Sequence, residues 1–206
     1  MIYNFMTDSY KTIAKFQRQE QKILNSRFIA SAYPVLNKDE ADKYIKSIRK
    51  EFFNAHHHPY AYKLYFDKEY YKISDDGEPS GTSGKPILNA IDKYCLTNII
   101  LIITRFFGGT KLGTGRLKHA YFDTADLCLS KCEIIEKYIE KEIYLEFDYT
   151  YLNSIMNLLI KKKIRIKENK SDFLVKMSLY VRLSLIDELK KELINITRNN
   201  IKIIVI

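Results

Sequence analysis

No glycine or proline follows Gly115, and all 7 glycines of the chain lie between Gly77 and Gly115. Glycine is needed where backbone must take positive φ or pass close to another group. Its confinement to two runs, 75–84 and 105–115, therefore marks where specialised backbone sits. Cysteine is scarce too, with 3 in the chain and no secretion signal, which points to a reducing, cytoplasmic setting. Cys128 and Cys132 fall on the helical face Leu117, Tyr121, Ala125, Cys128, Leu129, Cys132. A zinc site would need further ligands at workable spacing, so the pair reads as core and no metal is assigned. Long apolar runs are missing as well. The longest aliphatic stretch, Ile99 to Ile103, is far short of the roughly 20 residues that span a bilayer. The opening residues Met1 to Asp8 lack the basic-then-apolar pattern of a signal peptide. No membrane partner is expected.

What is present fits a folded protein. The 206 residues suit one large domain or two small ones, and 46% apolar with 29% charged residues argues against wholesale disorder. A formal charge of +9 favours an anionic partner such as nucleic acid. A plainer source is a composition heavy in Tyr, Ile, Lys and Asn, as AT-rich coding produces. The one dense basic cluster is Lys161, Lys162, Lys163 and Arg165.

Two rhythms divide the chain. In the first part, strands are expected over 27–36, 60–66, 70–74 and 98–107, the last apolar enough to be buried on both faces. Helices are expected over about 37–53, 85–96 and 115–132, the first opened by an Asn37/Glu40 capping box. This part is an α/β layer structure. From about residue 139, Ile143, Leu145, Phe147 and Tyr149 alternate with polar neighbours, and a helix follows through Leu152, Ile155, Met156 and Leu159. Strands near 164–166 and 173–181, a helix over 184–197 and a strand over 201–206 complete a β-α-β-β-α-β order, the ferredoxin-like split motif. The chain as a whole is thus expected to be α+β, with domains at 1–136 and 137–206. The outward face of the small sheet would show Tyr144, Lys176, Tyr180, Arg182, Arg165, Lys167 and Lys202. Aromatics among cations suit RNA, but a one-sided sheet must show water something polar, and no RNP-type signature is present.

The glycine runs are the candidate site. Ser80, Thr82, Ser83, Gly84 and Lys85 lead into one helix, and Arg105, Gly108, Gly109, Lys111, Gly113, Thr114 and Gly115 into another. Each offers backbone N–H groups at a helix N-terminus, which suits an anion. Arg116 and Lys118 add charge nearby. Neither run matches a phosphate-loop or dinucleotide consensus. Asp75, Asp76 and Glu78 could hold magnesium beside phosphate, or could cap a turn and pair with Arg105. His56 and His57 could move protons, although histidines beside loops more often bond structurally. No obvious Ser/His/Asp or Cys/His arrangement is visible.

The stretches Asp75-Asp76-Gly77-Glu78-Pro79-Ser80-Gly81-Thr82-Ser83-Gly84-Lys85-Pro86, Arg105-Phe106-Phe107-Gly108-Gly109 and Leu112-Gly113-Thr114-Gly115 resemble the IMPACT (YigZ) family. Asn25-Ser26-Arg27-Phe28 and Ala55-His56-His57 are similar to further recurrent stretches of that family. The resemblance implies an N-terminal domain like domain two of ribosomal protein S five. It also implies a ferredoxin-like C-terminal domain similar to those of elongation factor G. Eukaryotic relatives regulate translation and carry an extra N-terminal module, so the chain looks like the shorter bacterial type. It departs from the family at Arg116, where a glycine is usual, at His119, where a cation is usual, and at Asn199-Asn200, where a glycine turn is frequent. Three functions compete. The first is a cytoplasmic binding protein of translation, touching RNA, ribosome or translation factor. The second is an enzyme acting on a phosphorylated small molecule or nucleotide, with Mg held by the carboxylates. The third is a pure protein-interaction module.

Overall fold

The computed structural model describes residues 8–65 and 69–206. Its elements are β1 (Ser9–Ile13), β2 (Gln17–Ile23), β3 (Ser26–Pro34), α1 (Lys38–Glu51), β4 (Tyr60–Tyr65), β5 (Glu69–Ser74), α2 (Gly84–Lys93), β6 (Ile99–Phe106), α3 (Thr114–Leu129) and β7 (Ile134–Tyr138). Then follow β8 (Glu140–Phe147), α4 (Leu152–Lys161), β9 (Arg165–Asn169), β10 (Val175–Arg182), α5 (Ile186–Thr197) and β11 (Ile201–Val205). They form two units, one of Lys11–Lys137 and one of Tyr138–Ile206 with residues 8–10. Each unit has a core of its own, and the chain is α+β.

In the first unit, five antiparallel strands lie in the order β2-β3-β6-β4-β5. Period-two alternation along β6 sends Ile99, Leu101 and Ile103 to a core shared with α2 and α3, and Ile100 and Ile102 to a core shared with α1. All five are fully buried, which explains an apolar run in an antiparallel strand. The α1 start follows its expected cap with one shift. Asn37 Oδ1 accepts from the Glu40 N–H at 2.9 Å, while the Glu40 carboxylate reaches past the cap to the Leu36 N–H at 2.8 Å. On α3 the expected apolar face is buried from Leu117 through Tyr121, Ala125, Cys128 and Leu129. Contact with Cys132 and burial push the Cys128 thiol up, so it packs as a small apolar group.

The second unit orders its strands β11-β8-β10-β9, all antiparallel, with α4 and α5 supplying the other half of the core. This is the split β-α-β-β-α-β arrangement. At the end of α5, Arg198 and Asn199 take φ of 51° and 68°, so the asparagine stands where a left-handed residue is needed. Three strands escaped the sequence reading: β1, β2 and β7. The β2 sequence, Gln-Arg-Gln-Glu-Gln-Lys-Ile, has no apolar alternation because it is a sheet edge. Pairing with β3 and a Gln21 to Thr124 hydrogen bond hold it. Among the described residues no helix is long and apolar enough to cross a membrane.

Candidate functional site

The first glycine run closes on itself. Asp75 Oδ1 accepts from the Ser83 hydroxyl at 2.8 Å, the Gly84 N–H at 2.9 Å and the Ser83 N–H at 3.1 Å, and Oδ2 accepts from the Gly81 N–H at 2.8 Å. Burial works to raise this carboxyl's pKa, yet the donors from Gly81, Gly84 and Ser83 hold it below its usual value. The N-terminus of α2 is thus satisfied by the chain's own carboxylate. That corrects the expectation that Ser83 and Gly84 present free donors to a ligand.

The other two acids turn elsewhere. Asp76 Oδ1 accepts from Arg49 Nη2 at 2.5 Å and Oδ2 from the His58 N–H at 2.6 Å. Glu78 Oε1 accepts from Arg105 Nη1 at 2.7 Å and from the Tyr121 hydroxyl at 2.6 Å. This last pair joins the two glycine runs, and both side chains are almost wholly inaccessible, at 6% and 3% exposure. Removing one partner of such a buried pair costs about 3–5 kcal/mol, because the other charge is left uncompensated. Burial raises the Tyr121 phenol well above its ordinary pKa, and the Glu78 charge adds to this, so it remains a donor. Ser26 Oγ accepts from Arg105 Nη2 and from the Gly108 N–H, each at 3.3 Å. Arg105 Nε is buried with no hydrogen-bond partner among the described residues. The three carboxylates adjacent in sequence therefore do not form the magnesium cluster considered above. Among the described residues no three His, Cys, Asp or Glu side chains gather to hold a metal ion.

The second run stays open. Gly108 must be glycine, since a Cβ there would lie 1.9 Å from the Asn25 carbonyl oxygen. Gly113 caps α3 with φ 76° and ψ 156°, and no side chain caps the helix and no acid sits in its first turn. A crevice of about 440 Å³ forms at this helix start. Its walls are His56, His57, Glu78, Pro79, Arg105, Phe107, Lys111, Leu112, Gly113, Thr114 and Leu117. His56 Nδ1 accepts from the Phe107 N–H at 3.2 Å, and His57 Nδ1 lies 2.8 Å from the Asp76 carbonyl oxygen. The crevice therefore unites Arg105, Lys111, Gly113, Thr114, His56, His57 and Glu78 of the expected set.

Other expected residues lie outside it. Ser80 and Gly109 are exposed, and the Thr82 hydroxyl donates to the Pro79 carbonyl at 2.6 Å. Lys85 lines a separate shallow depression with Lys118 and His119, and Arg116 lines another with His119. Gly115 lies in the first turn of α3 beside the crevice. The sequence reading missed Tyr121 and Ser26, which hold the Glu78–Arg105 pair, and the apolar walls Pro79, Phe107, Leu112 and Leu117. Tyr121 carried a signal in retrospect, as a phenol placed on an otherwise apolar helix face must find a partner.

On the second unit's outward sheet face, the cations do not stand alone. Glu140 pairs with Arg165 at 2.9 Å, Glu142 pairs with Lys167 at 2.5 Å, and Tyr144 donates to Glu146 at 2.9 Å. Lys176 and Lys202 both sit opposite Glu146 in the sheet register. The Tyr180 ring is covered by Arg165 and Lys167, and the Tyr138 ring by Arg182. The alternating glutamates of β8 were absent from the sequence-based picture of a basic platform. With them, the face is a mixed-charge solvated surface.

Two comparisons decide the family. The Impact N-terminal domain matches residues 24–129. IMPACT family member YvyE of Bacillus subtilis is 36% identical over 163 residues, which cover 79% of this chain and 75% of that protein. The chain belongs to the IMPACT family. IMPACT family member YigZ of Escherichia coli is 33% identical over 141 residues, covering 68% of this chain and 69% of its own. A crystal structure described only as that of a hypothetical protein superposes with a TM-score of 0.73 at 27% identity, covering 98% of each chain. Against the IMPACT pattern, the departures Arg116 and His119 fall outside the crevice walls. His119 Nδ1 lies 2.9 Å from the Gly115 carbonyl, a bond within its own helix.

Proposed function

We propose that this IMPACT-family chain is a binding protein of the translation apparatus whose first-unit crevice grips an anionic group, a phosphate or a carboxylate, of its partner. The observation that carries the reading is the open N-terminus of α3 with Lys111 beside it; Arg105 lines the same wall but is already paired with Glu78. Unsatisfied first-turn N–H groups and the helix dipole favour a negative charge there. The translation setting rests on the family resemblance, in which eukaryotic members regulate translation. A cytoplasmic location belongs to the same reading. The metal-dependent enzyme is the weaker alternative, because Asp75 and Asp76 are committed to backbone and arginine donors.

The test is binding of the purified chain to ribosomes and to ribosomal RNA across a salt series. A phosphate-gripping site predicts a steep fall of affinity with salt, and Lys111→Ala reduces the log–log slope by about one. Binding that is absent at low ionic strength, or indifferent to salt, removes the reading.

A further inference from the structure

We infer that Cys128 and Cys132 form a dithiol site, which a small disulfide such as oxidised glutathione converts to an intramolecular disulfide at the end of α3. The two residues stand one helical turn apart, and their thiols are hydrogen-bonded to each other. Cys128 is fully buried, with its Sγ 3.7 Å from the Gln17 carbonyl oxygen and 3.8 Å from that of Ala30. Cys132 lies beyond Leu129, the last residue of α3, and is half-buried, with its Sγ 3.4 Å from the Cys128 carbonyl oxygen. Residues one turn apart inside a helix hold their Cβ atoms about 5–6 Å apart, whereas a disulfide needs about 3.8 Å. Here the chain has already left the α-helix. The Lys131 N–H donates to the Cys128 carbonyl at 3.2 Å and the Cys132 N–H to the Leu129 carbonyl at 3.1 Å, each three residues back. Closure therefore tightens a turn and need not break a helix.

The contact gives the two thiols different parts. The bond to Cys132 and burial push the Cys128 thiol up, so it stays protonated and donates. The same bond holds the Cys132 thiol below its ordinary value although burial opposes this, which raises the share of attacking thiolate. Cys132 thiolate attacks one sulfur of oxidised glutathione, forming a mixed disulfide and releasing the first glutathione. Cys128 then gives up its proton and attacks Cys132 Sγ, releasing the second. The pair loses two electrons, oxidised glutathione gains them, and both thiol protons end on the two glutathiones. In a reducing compartment the pair stands open at rest, so its closure reports a shift of the thiol pool.

The test equilibrates the reduced full chain with glutathione buffers of rising oxidised fraction, alkylates the remaining thiols and digests with trypsin. Lys131 lies between the two cysteines, so peptides 119–131 and 132–137 separate unless a disulfide joins them. Joined peptides are expected before the exposed Cys95 takes up glutathione, because the second step is intramolecular. Dithiothreitol should part them again. Cys128→Ala should leave glutathione held on Cys132, and Cys132→Ala should abolish both the link and that adduct. Circular dichroism checks the fold of each variant, and if Cys128→Ala does not fold the wild-type peptides decide alone. The inference is overturned if the wild-type chain keeps glutathione on Cys132 without joining the peptides. It is also overturned if both thiols remain alkylatable once Cys95 is fully modified, or if the joined peptides come only from chains linked to one another on a non-reducing gel.

Discussion

Asp75 turns its carboxylate onto the start of α2. Its carboxylate takes four donors at and before the start of α2, from Gly81, Ser83 and Gly84, so these are not free for a ligand. Because its folded pKa is depressed, the stability it adds is present above its unfolded value, near pH 4, and is lost as pH falls through the folded value. Thermal melts of wild type and Asp75→Asn should therefore differ most at neutral pH and converge in acid. A gap that persists unchanged down to about pH 2 would show that the charge is not what stabilises the turn. The residue types in this run announced capping as well as metal binding. Sequence could not choose, because the partners Arg49, Tyr121 and Arg105 come from three other elements.

At the scale of the element, α2 and α3 share a glycine-rich approach yet end up opposite in character. The α3 start owes its openness to Gly113, whose φ of 76° and ψ of 156° lie in a region essentially closed to other residues. Gly113→Ala is expected to cost about 1–3 kcal/mol and to weaken phosphate binding, read by denaturant titration and calorimetry. Gly115 is the contrast: an added Cβ would meet nothing within 4 Å. Gly115→Ala should leave the fold unharmed or stabilise it by up to about 1 kcal/mol, since alanine is the better helix former. Loss of stability there would mean that the α3 start is not the regular helix described. The helices and most strands were legible from their periodicity. The edge strands β1, β2 and β7 were not, because neighbours rather than apolar alternation hold them.

For the whole molecule, the change in sequence rhythm near residue 139 corresponds to the division between a first unit with a core on each face of its sheet and a second unit with its own core. Leu145 is fully buried in the second unit. Truncating it to alanine is expected to cost about 2–5 kcal/mol in that unit. The affinity of the first-unit crevice for its ligand should stay unchanged in the same variant. A parallel loss of both would show that the units depend on each other. The outward sheet of the second unit carries the larger lesson about charge. The sequence favoured a solvated face over an RNA platform, and the strand register adds a glutamate opposite or beside most of its cations.

The helices, the strands other than β1, β2 and β7, the doubly buried β6 and the two glycine runs were all determined by the sequence itself. Each is a local property of spacing and backbone freedom, and spacing survives in one dimension. Which run remains open to a ligand was decided only in three dimensions. A carboxylate seals one helix start and a buried arginine pairs with Glu78. The first depends on the fold of a loop that brings Asp75 back onto Gly81, Ser83 and Gly84, and the second on side chains 27 residues apart in the chain.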